Sequence, residues 1–202
     1  MVERVRLAAN GNTAEVAARA AAVLRAGGVA LLPAEGIYGL HVLAADLGAV
    51  ARLRALKPRD AARGFIGLMA RPEALKIWAK AGERAQALAR AHWPGALTLV
   101  LEASPAVPDS LRTKAGTVAL RCPGAEFLRA VVEGVQGLVI STSANATGEP
   151  PLVRAEGPLT KRVDLVVDGG ELSGVPSTVA EVSGERVRVL REGAVRLEGR
   201  FT

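Results

Sequence analysis

Apolar runs of strand length recur through this chain, with helix-length, Ala-rich stretches between them. That alternation most constrains what the chain can fold into. Val29 to Pro33, Gly64 to Ala70, Leu97 to Glu102, Thr117 to Arg121, Leu138 to Ser141 and Val163 to Val167 read as strands. Asn12-Thr13-Ala14-Glu15 has the form of a capping box opening a helix to about Arg25, where Gly27-Gly28 stops it. Asp46 can cap a helix to about Lys57, Pro72 to Ala91 is helical with a break near Gly82, and Ala125 to Glu133 is helical. Strands alternating with helices imply an α/β fold. Thr178 to Val182 and Arg186 to Arg191, joined by Ser183-Gly184-Glu185, form a hairpin signal, so the sheet is expected to be mixed. Ala34 to His41 and Ser104 to Gly116 read as loops, and the first could also open the next helix. No repeat or convincing linker divides the 202 residues, which are expected to form a single domain, 1–202.

Half of the residues are hydrophobic but only 3% are aromatic, so the core must be built of Ala, Val and Leu. That argues against an aromatic stacking platform for single-stranded nucleic acid. The net charge of +6 comes mostly from Arg and suits an anionic ligand or partner such as a nucleotide or RNA. It equally suits a soluble enzyme of Arg-rich composition. One cysteine, Cys122, excludes an internal disulfide and a cysteine metal cluster, and two histidines, His41 and His92, exclude a His-rich one. No metal site on the protein is expected. No apolar run reaches membrane-spanning length and no signal-peptide pattern opens the chain, so the cytoplasm is the expected location and no membrane partner is expected.

The densest polar signal is Ser141-Thr142-Ser143-Ala144-Asn145, which follows the apolar run Gly137-Leu138-Val139-Ile140. Hydroxyls and an amide at a strand end sit where open α/β sheets bind ligands, although Ser, Thr and Asn also favour plain turns and caps. Lys57 and Arg59 flank Pro58 at a helix end; two cations there suit phosphate binding or, equally, a solvated helix terminus. Thr117, Ala119 and Arg121 share one face of a strand, and Arg121 at its end could grip a carboxylate or make a surface ion pair. Pro176-Ser177-Thr178-Val179 adds hydroxyls at a strand start, and Arg191 ends the last strand. There is no Walker A sequence and no dinucleotide fingerprint. Cys122, followed by Pro123, reads as a small core residue.

Taken in order, these segments resemble the YrdC-like family, the threonylcarbamoyl-AMP synthases. The resemblance rests on Pro33-Ala34-Glu35-Gly36-Ile37-Tyr38-Gly39-Leu40, Leu56-Lys57-Pro58-Arg59 and Trp93-Pro94-Gly95-Ala96-Leu97-Thr98. It continues through Thr117 to Arg121, Ser141 to Asn145 with Gly148, Pro176 to Val179 and Arg191 to Gly193. It spans roughly Val23 to Ala194. It implies a twisted mixed open sheet with helices packed on it and a deep basic cleft. It also implies synthesis of threonylcarbamoyl-adenylate and pyrophosphate from L-threonine, bicarbonate or CO2, and ATP, with Mg²⁺ carried by the nucleotide. A downstream tRNA threonylcarbamoyl transferase would use the product. By the resemblance, Lys57 and Arg59 would hold the ATP phosphates, while Thr117, Ser143, Asn145 and Arg191 would help hold the nucleotide. Arg121, Ser141 and Ser177 would hold threonine or its carbamate, with Arg121 on the carboxylate. The chain departs from the family pattern at Ala34, where the family has Thr, at Gly36, and at His41, where Gly is usual. The extra C-terminal domain of longer members is not expected here. A paralogue handling another carbamoyl-adenylate and a module binding double-stranded RNA or tRNA are the alternative readings.

Overall fold

The computed structural model describes residues 1–8, 11–57, 64–145 and 149–197. Its strands in chain order are β1 (Glu3–Arg6), β2 (Ala30–Pro33), β3 (Tyr38–Leu43), β4 (Ile66–Leu68), β5 (Ala79–Lys80) and β6 (Leu97–Ala103). They continue with β7 (Thr117–Arg121), β8 (Val139–Ser143), β9 (Leu165–Asp168), β10 (Thr178–Ser183) and β11 (Arg186–Arg191). The helices are α1 (Thr13–Arg25), α2 (Leu47–Leu56), α3 (Leu75–Trp78), α4 (Glu83–His92) and α5 (Glu126–Val135). The strands form one sheet in the order β1-β9-β2-β3-β8-β4-β7-β6-β10-β11, with β5 paired to β6. Parallel pairs such as β4 with β7 sit beside antiparallel pairs such as β3 with β8, so the sheet is mixed.

Side-chain alternation gives each strand two faces. On one face Leu31, Leu40, Val42, Val118, Leu120 and Ile140 join one core with Ala49, Val50 and Leu53 of α2 and Ala85, Leu88 and Ala89 of α4. On the other, Leu32, Leu68, Val139, Leu165 and Val167 pack beneath α1 and α5. In α5 the buried residues Phe127, Leu128, Val131, Val132 and Val135 make one apolar stripe at helical spacing. Each large apolar side chain sealed here contributes about 1.5–3 kcal/mol relative to exposure.

The sequence reading needs four corrections. Residues 38–43 form β3, not a loop, because the segment pairs with β2 on one side and β8 on the other, and that outweighs the turn signal of Gly39. Glu3–Arg6 adds an edge strand on β9 that its charged sequence did not announce. Asn12 does not cap α1: its Oδ1 accepts from the Ala8 amide at 2.8 Å and its amide donates to the Arg6 carbonyl at 3.0 Å. Between Pro72 and Ala91 the chain makes short helical turns, then β5, then α4, because residues 79–80 pair with β6. The cap at Asp46 is as read, with its Oδ1 accepting from Ala49 N at 2.9 Å.

Candidate active site

Strand register decides which polar side chains meet. Ser141 on β8 stands opposite His41 of β3 and Ile66 of β4, and Arg121 on β7 stands opposite Leu68 of β4. By alternation Ser141, Ser143 and Arg121 therefore share the face on which Val139 and Leu68 are covered by helices. Beyond that cover the face borders a cavity of about 200 Å³, lined by Ala34, Glu35, Gly39, Ile66, Arg121, Ser141, Ser143, Ser177 and Arg191 among others. Drug-sized sites run about 300–1,000 Å³, so this is the volume class of a small metabolite.

Arg121 is only 8% exposed. Its Nε donates to the Gly95 carbonyl at 3.0 Å and its guanidinium pairs with the Glu35 carboxylate, which also accepts from the Gly124 amide. Burial, and then the charge of Arg191, draw its pKa down to about 10, so it stays cationic at neutral pH. With side chains 10% and 22% exposed the pair is largely sheltered, not a surface ion pair. A guanidinium has five N–H groups, more than these contacts use, so a further carboxylate can be gripped.

Arg191 donates from Nε and Nη2 to the Ser177 carbonyl at 3.1 and 2.8 Å, and from Nη2 to Ser177 Oγ at 3.0 Å. Ser177 Oγ lies 3.0 Å from Thr98 Oγ1, so its hydroxyl is held from two sides. Burial lowers the pKa of Arg191 as well. Two loops also meet closely at the cavity, where Gly174 N donates to the Gly36 carbonyl at 2.8 Å. A Cβ on Gly36 would fall 2.0 Å from the Val175 carbonyl oxygen, so only glycine permits this approach. Tyr38 anchors the same strap: its hydroxyl donates to Gly170 O at 2.7 Å and accepts from Gly169 N at 2.9 Å.

Lys57 is the C-cap of α2 and is 2% exposed, so it is not part of a solvated helix end. Its Nζ donates to the Asn145 carbonyl at 2.6 Å, which ties α2 to the chain leaving β8. Asn145 in turn donates from Nδ2 to Glu149 O at 2.7 Å. Neither Lys57 nor Asn145 is among the residues that line the cavity. Arg59 lies outside the described residues. Thr117 sits at the end of β7 opposite to Arg121, with its hydroxyl 2.7 Å from that of Thr113, and does not line the cavity. Burial pushes the Cys122 thiol up to about 11, as suits a core residue and not a nucleophile. Among the described residues no cluster of three His, Cys, Asp or Glu could hold a metal ion, and no helix is long and apolar enough to cross a membrane.

Sequence reasoning assigned no role to Glu35, Thr98 or His41. Glu35 and Thr98 fall inside quoted motifs, and a carboxylate next to a buried-strand loop calls for a cation, so Glu35 had a usable signal. His41 had none beyond its departure from the family Gly.

The Sua5/YciO/YrdC family model, described as "Telomere recombination", matches residues 22–193. Over 184 residues the chain is 35% identical to the threonylcarbamoyl-AMP synthase of Pyrococcus abyssi, covering 89% of this chain and 54% of that protein. It is thus similar to about half the length of that relative. Over 155 residues it is 36% identical to the threonylcarbamoyl-AMP synthase of Alkalilimnicola ehrlichii, covering 77% of this chain and 80% of that protein. The solved structure of P. abyssi Sua5 complexed with L-threonine matches with a TM-score of 0.85 at 33% identity, over 96% of this chain and 57% of that one.

Proposed function

The chain belongs to the Sua5/YciO/YrdC family, and on that premise we propose that it is a threonylcarbamoyl-AMP synthase. It would make threonylcarbamoyl-adenylate and pyrophosphate from L-threonine, bicarbonate or CO2, and ATP. The observation that carries this reading is the cavity in which a buried Arg121 meets the hydroxyls of Ser141, Ser143 and Ser177. A carboxylate grip beside short donors and acceptors suits a small amino acid. The P. abyssi relative solved with L-threonine supports the same substrate.

The chemistry asks little of the protein in covalent terms. The threonine amine attacks CO2 and loses a proton, giving a carbamate. A carbamate oxygen then bonds to the α-phosphorus of ATP as the bond to the β-phosphate oxygen breaks and pyrophosphate leaves. The nucleophile comes from substrate, so the enzyme's work is positioning and charge neutralisation. Arg121 would hold the threonine carboxylate, and Glu35 and Gly95 would fix the fork that does so. Ser141 and Ser177 would orient threonine or its carbamate. Lys57 and Arg59 would meet the phosphates, and Ser143, Asn145, Thr117 and Arg191 would help hold the nucleotide. Mg²⁺ would travel on the nucleotide phosphates, and no residue is assigned to it. The reading carries with it a downstream tRNA threonylcarbamoyl transferase and a cytoplasmic location.

The test is pyrophosphate release from ATP and bicarbonate, with and without L-threonine, and with L-serine and L-alanine as controls. Threonine-dependent release is expected. Release that ignores the amino acid, or none at all from enzyme that still binds ATP, would overturn the synthase in favour of another carbamoyl-adenylate chemistry.

A further inference from the structure

Thr98 is fully buried near the start of β6, and the chemistry above gives it no role. β6 and β10 run parallel, with Leu97 opposite Thr178 and Thr98 opposite Val179, so Ser177, just before β10, falls beside Thr98. Their hydroxyl oxygens lie 3.0 Å apart. Ser177 lines the cavity, and Thr98 is outside the lining. The backbone around Ser177 is fixed from two sides. Thr178 N donates to Ala96 O at 3.0 Å, and Ala194 N donates to Pro176 O at 3.0 Å. Gly193 approaches so closely that a Cβ there would fall 2.5 Å from the Ser177 carbonyl carbon.

Three protons and two hydroxyl oxygens meet here, and their chemistry assigns the direction of each bond. Arg191 Nη2 lies 3.0 Å from Ser177 Oγ, and a guanidinium nitrogen only donates, so Ser177 Oγ accepts in that contact. Thr98 is shut off from solvent, and among the described residues its hydroxyl has Ser177 Oγ as its one partner. Were Ser177 to donate to Thr98, the Thr98 proton would be buried with no acceptor, the costly state for a polar group. With Thr98 donating, Ser177 Oγ accepts twice and both its lone pairs are filled. The Ser177 proton then turns to the cavity, where solvent or a ligand accepts it. Only this arrangement strands no proton.

We propose that Thr98 is a positioning residue which, with Arg191, occupies both lone pairs of Ser177 Oγ and so makes Ser177 a hydrogen-bond donor toward the cavity. Ser177 then recognises an oxygen acceptor on the ligand, such as a carboxylate or carbamate oxygen, and does not read an ammonium. This functional consequence rests on the proposed threonine substrate; the direction of the hydrogen bonds does not.

Two measurements test it. Neutron diffraction from deuterium-exchanged crystals of the ligand-free protein locates the hydroxyl deuterons. The expected result is a Thr98 deuteron on the line to Ser177 Oγ and a Ser177 deuteron directed to the cavity. A Ser177 deuteron on the line to Thr98 overturns the proposal. The second is a double-mutant cycle read by calorimetry with L-threonine and, separately, ATP. Thr98→Val keeps the shape and removes the hydroxyl. It is expected to weaken L-threonine binding about three- to tenfold, the size of one net hydrogen bond. ATP affinity should be unchanged, because Arg191 keeps its two bonds to the Ser177 carbonyl. Thr98→Ser should restore most of the loss, and Thr98→Val should add nothing in the Ser177→Ala background. Unchanged L-threonine affinity in Thr98→Val, or losses that add, would make Thr98 merely structural and overturn the proposal. Wild-type protein that binds no L-threonine would sink the proposed substrate, while the deuteron positions would still decide the Thr98–Ser177 direction.

Discussion

On one face of the sheet Val139 lies sealed beneath α1 and α5, while Ser141, two residues along the same strand, borders an open cavity. Backbone conformation and ladder are the same for both. What differs is cover. Where the helices lie, the face is Leu, Val and Ala; where they stop, it gathers Arg121, Ser141, Ser143 and Ser177. Folding and binding are thus assigned to neighbouring stretches of one surface, and substitutions should separate them.

The largest effect is expected at Arg121. Arg121→Ala removes the cation proposed to grip the substrate carboxylate and leaves the part-buried Glu35 unpaired, and truncating one partner of a sheltered charge pair costs about 2–5 kcal/mol. In the threonine-dependent pyrophosphate assay kcat/KM should fall by roughly 30-fold to several-thousand-fold; an unchanged value would remove Arg121 from the site. On the covered stretch the expectation reverses. Leu128→Ala, at a residue 1% exposed, should lower unfolding free energy in urea by about 2–5 kcal/mol and leave the KM for L-threonine alone. A matched loss of threonine affinity would erase the distinction between the two stretches.

The third test is acid. His41 has its pKa depressed to about 4 in the folded protein against about 6.5 unfolded, so the unfolded chain binds the proton first as pH falls. Its contribution is therefore intact above pH ~6.5 and is lost as pH falls toward 4, amounting to about 2 kcal/mol between pH 7 and pH 5. Urea unfolding at the two pH values should show this loss, and His41→Gln should lack that share of it. Ser177→Ala should have the smallest effect, about 1 kcal/mol in stability, since it removes the contacts to Thr98 and Arg191 Nη2 but keeps the Arg191 bonds to its carbonyl. The KM for L-threonine should rise about three- to tenfold; no change would place Ser177 outside the binding surface.

These tests also mark what was legible beforehand. Strand β7 at Thr117–Arg121 and β11 at Arg186–Arg191 carry their own local pattern and turn signals, and the structure ends them where the sequence does. β3 does not, because Gly39 and His41 look like loop residues until β2 and β8 pair on either side. The site divides in the same way. Arg121, Ser141, Ser177 and Arg191 stand out as polar groups at strand ends. Glu35 and His41 gain meaning only once a distant strand delivers their partners, Arg121 and Ser141. Lys57 looked equally like a solvated helix end, since nothing local shows the Asn145 carbonyl waiting for its ammonium.

The central claim, that the uncovered stretch of the sheet is a carboxylate-gripping amino-acid site, is tested most directly by calorimetric titration of wild-type protein and Arg121→Ala with L-threonine and with L-threoninamide, which lacks the carboxylate. The account expects wild-type protein to bind L-threonine and to lose most of that affinity for the amide, and Arg121→Ala to bind both weakly and alike. Equal binding of acid and amide by wild-type protein would contradict it.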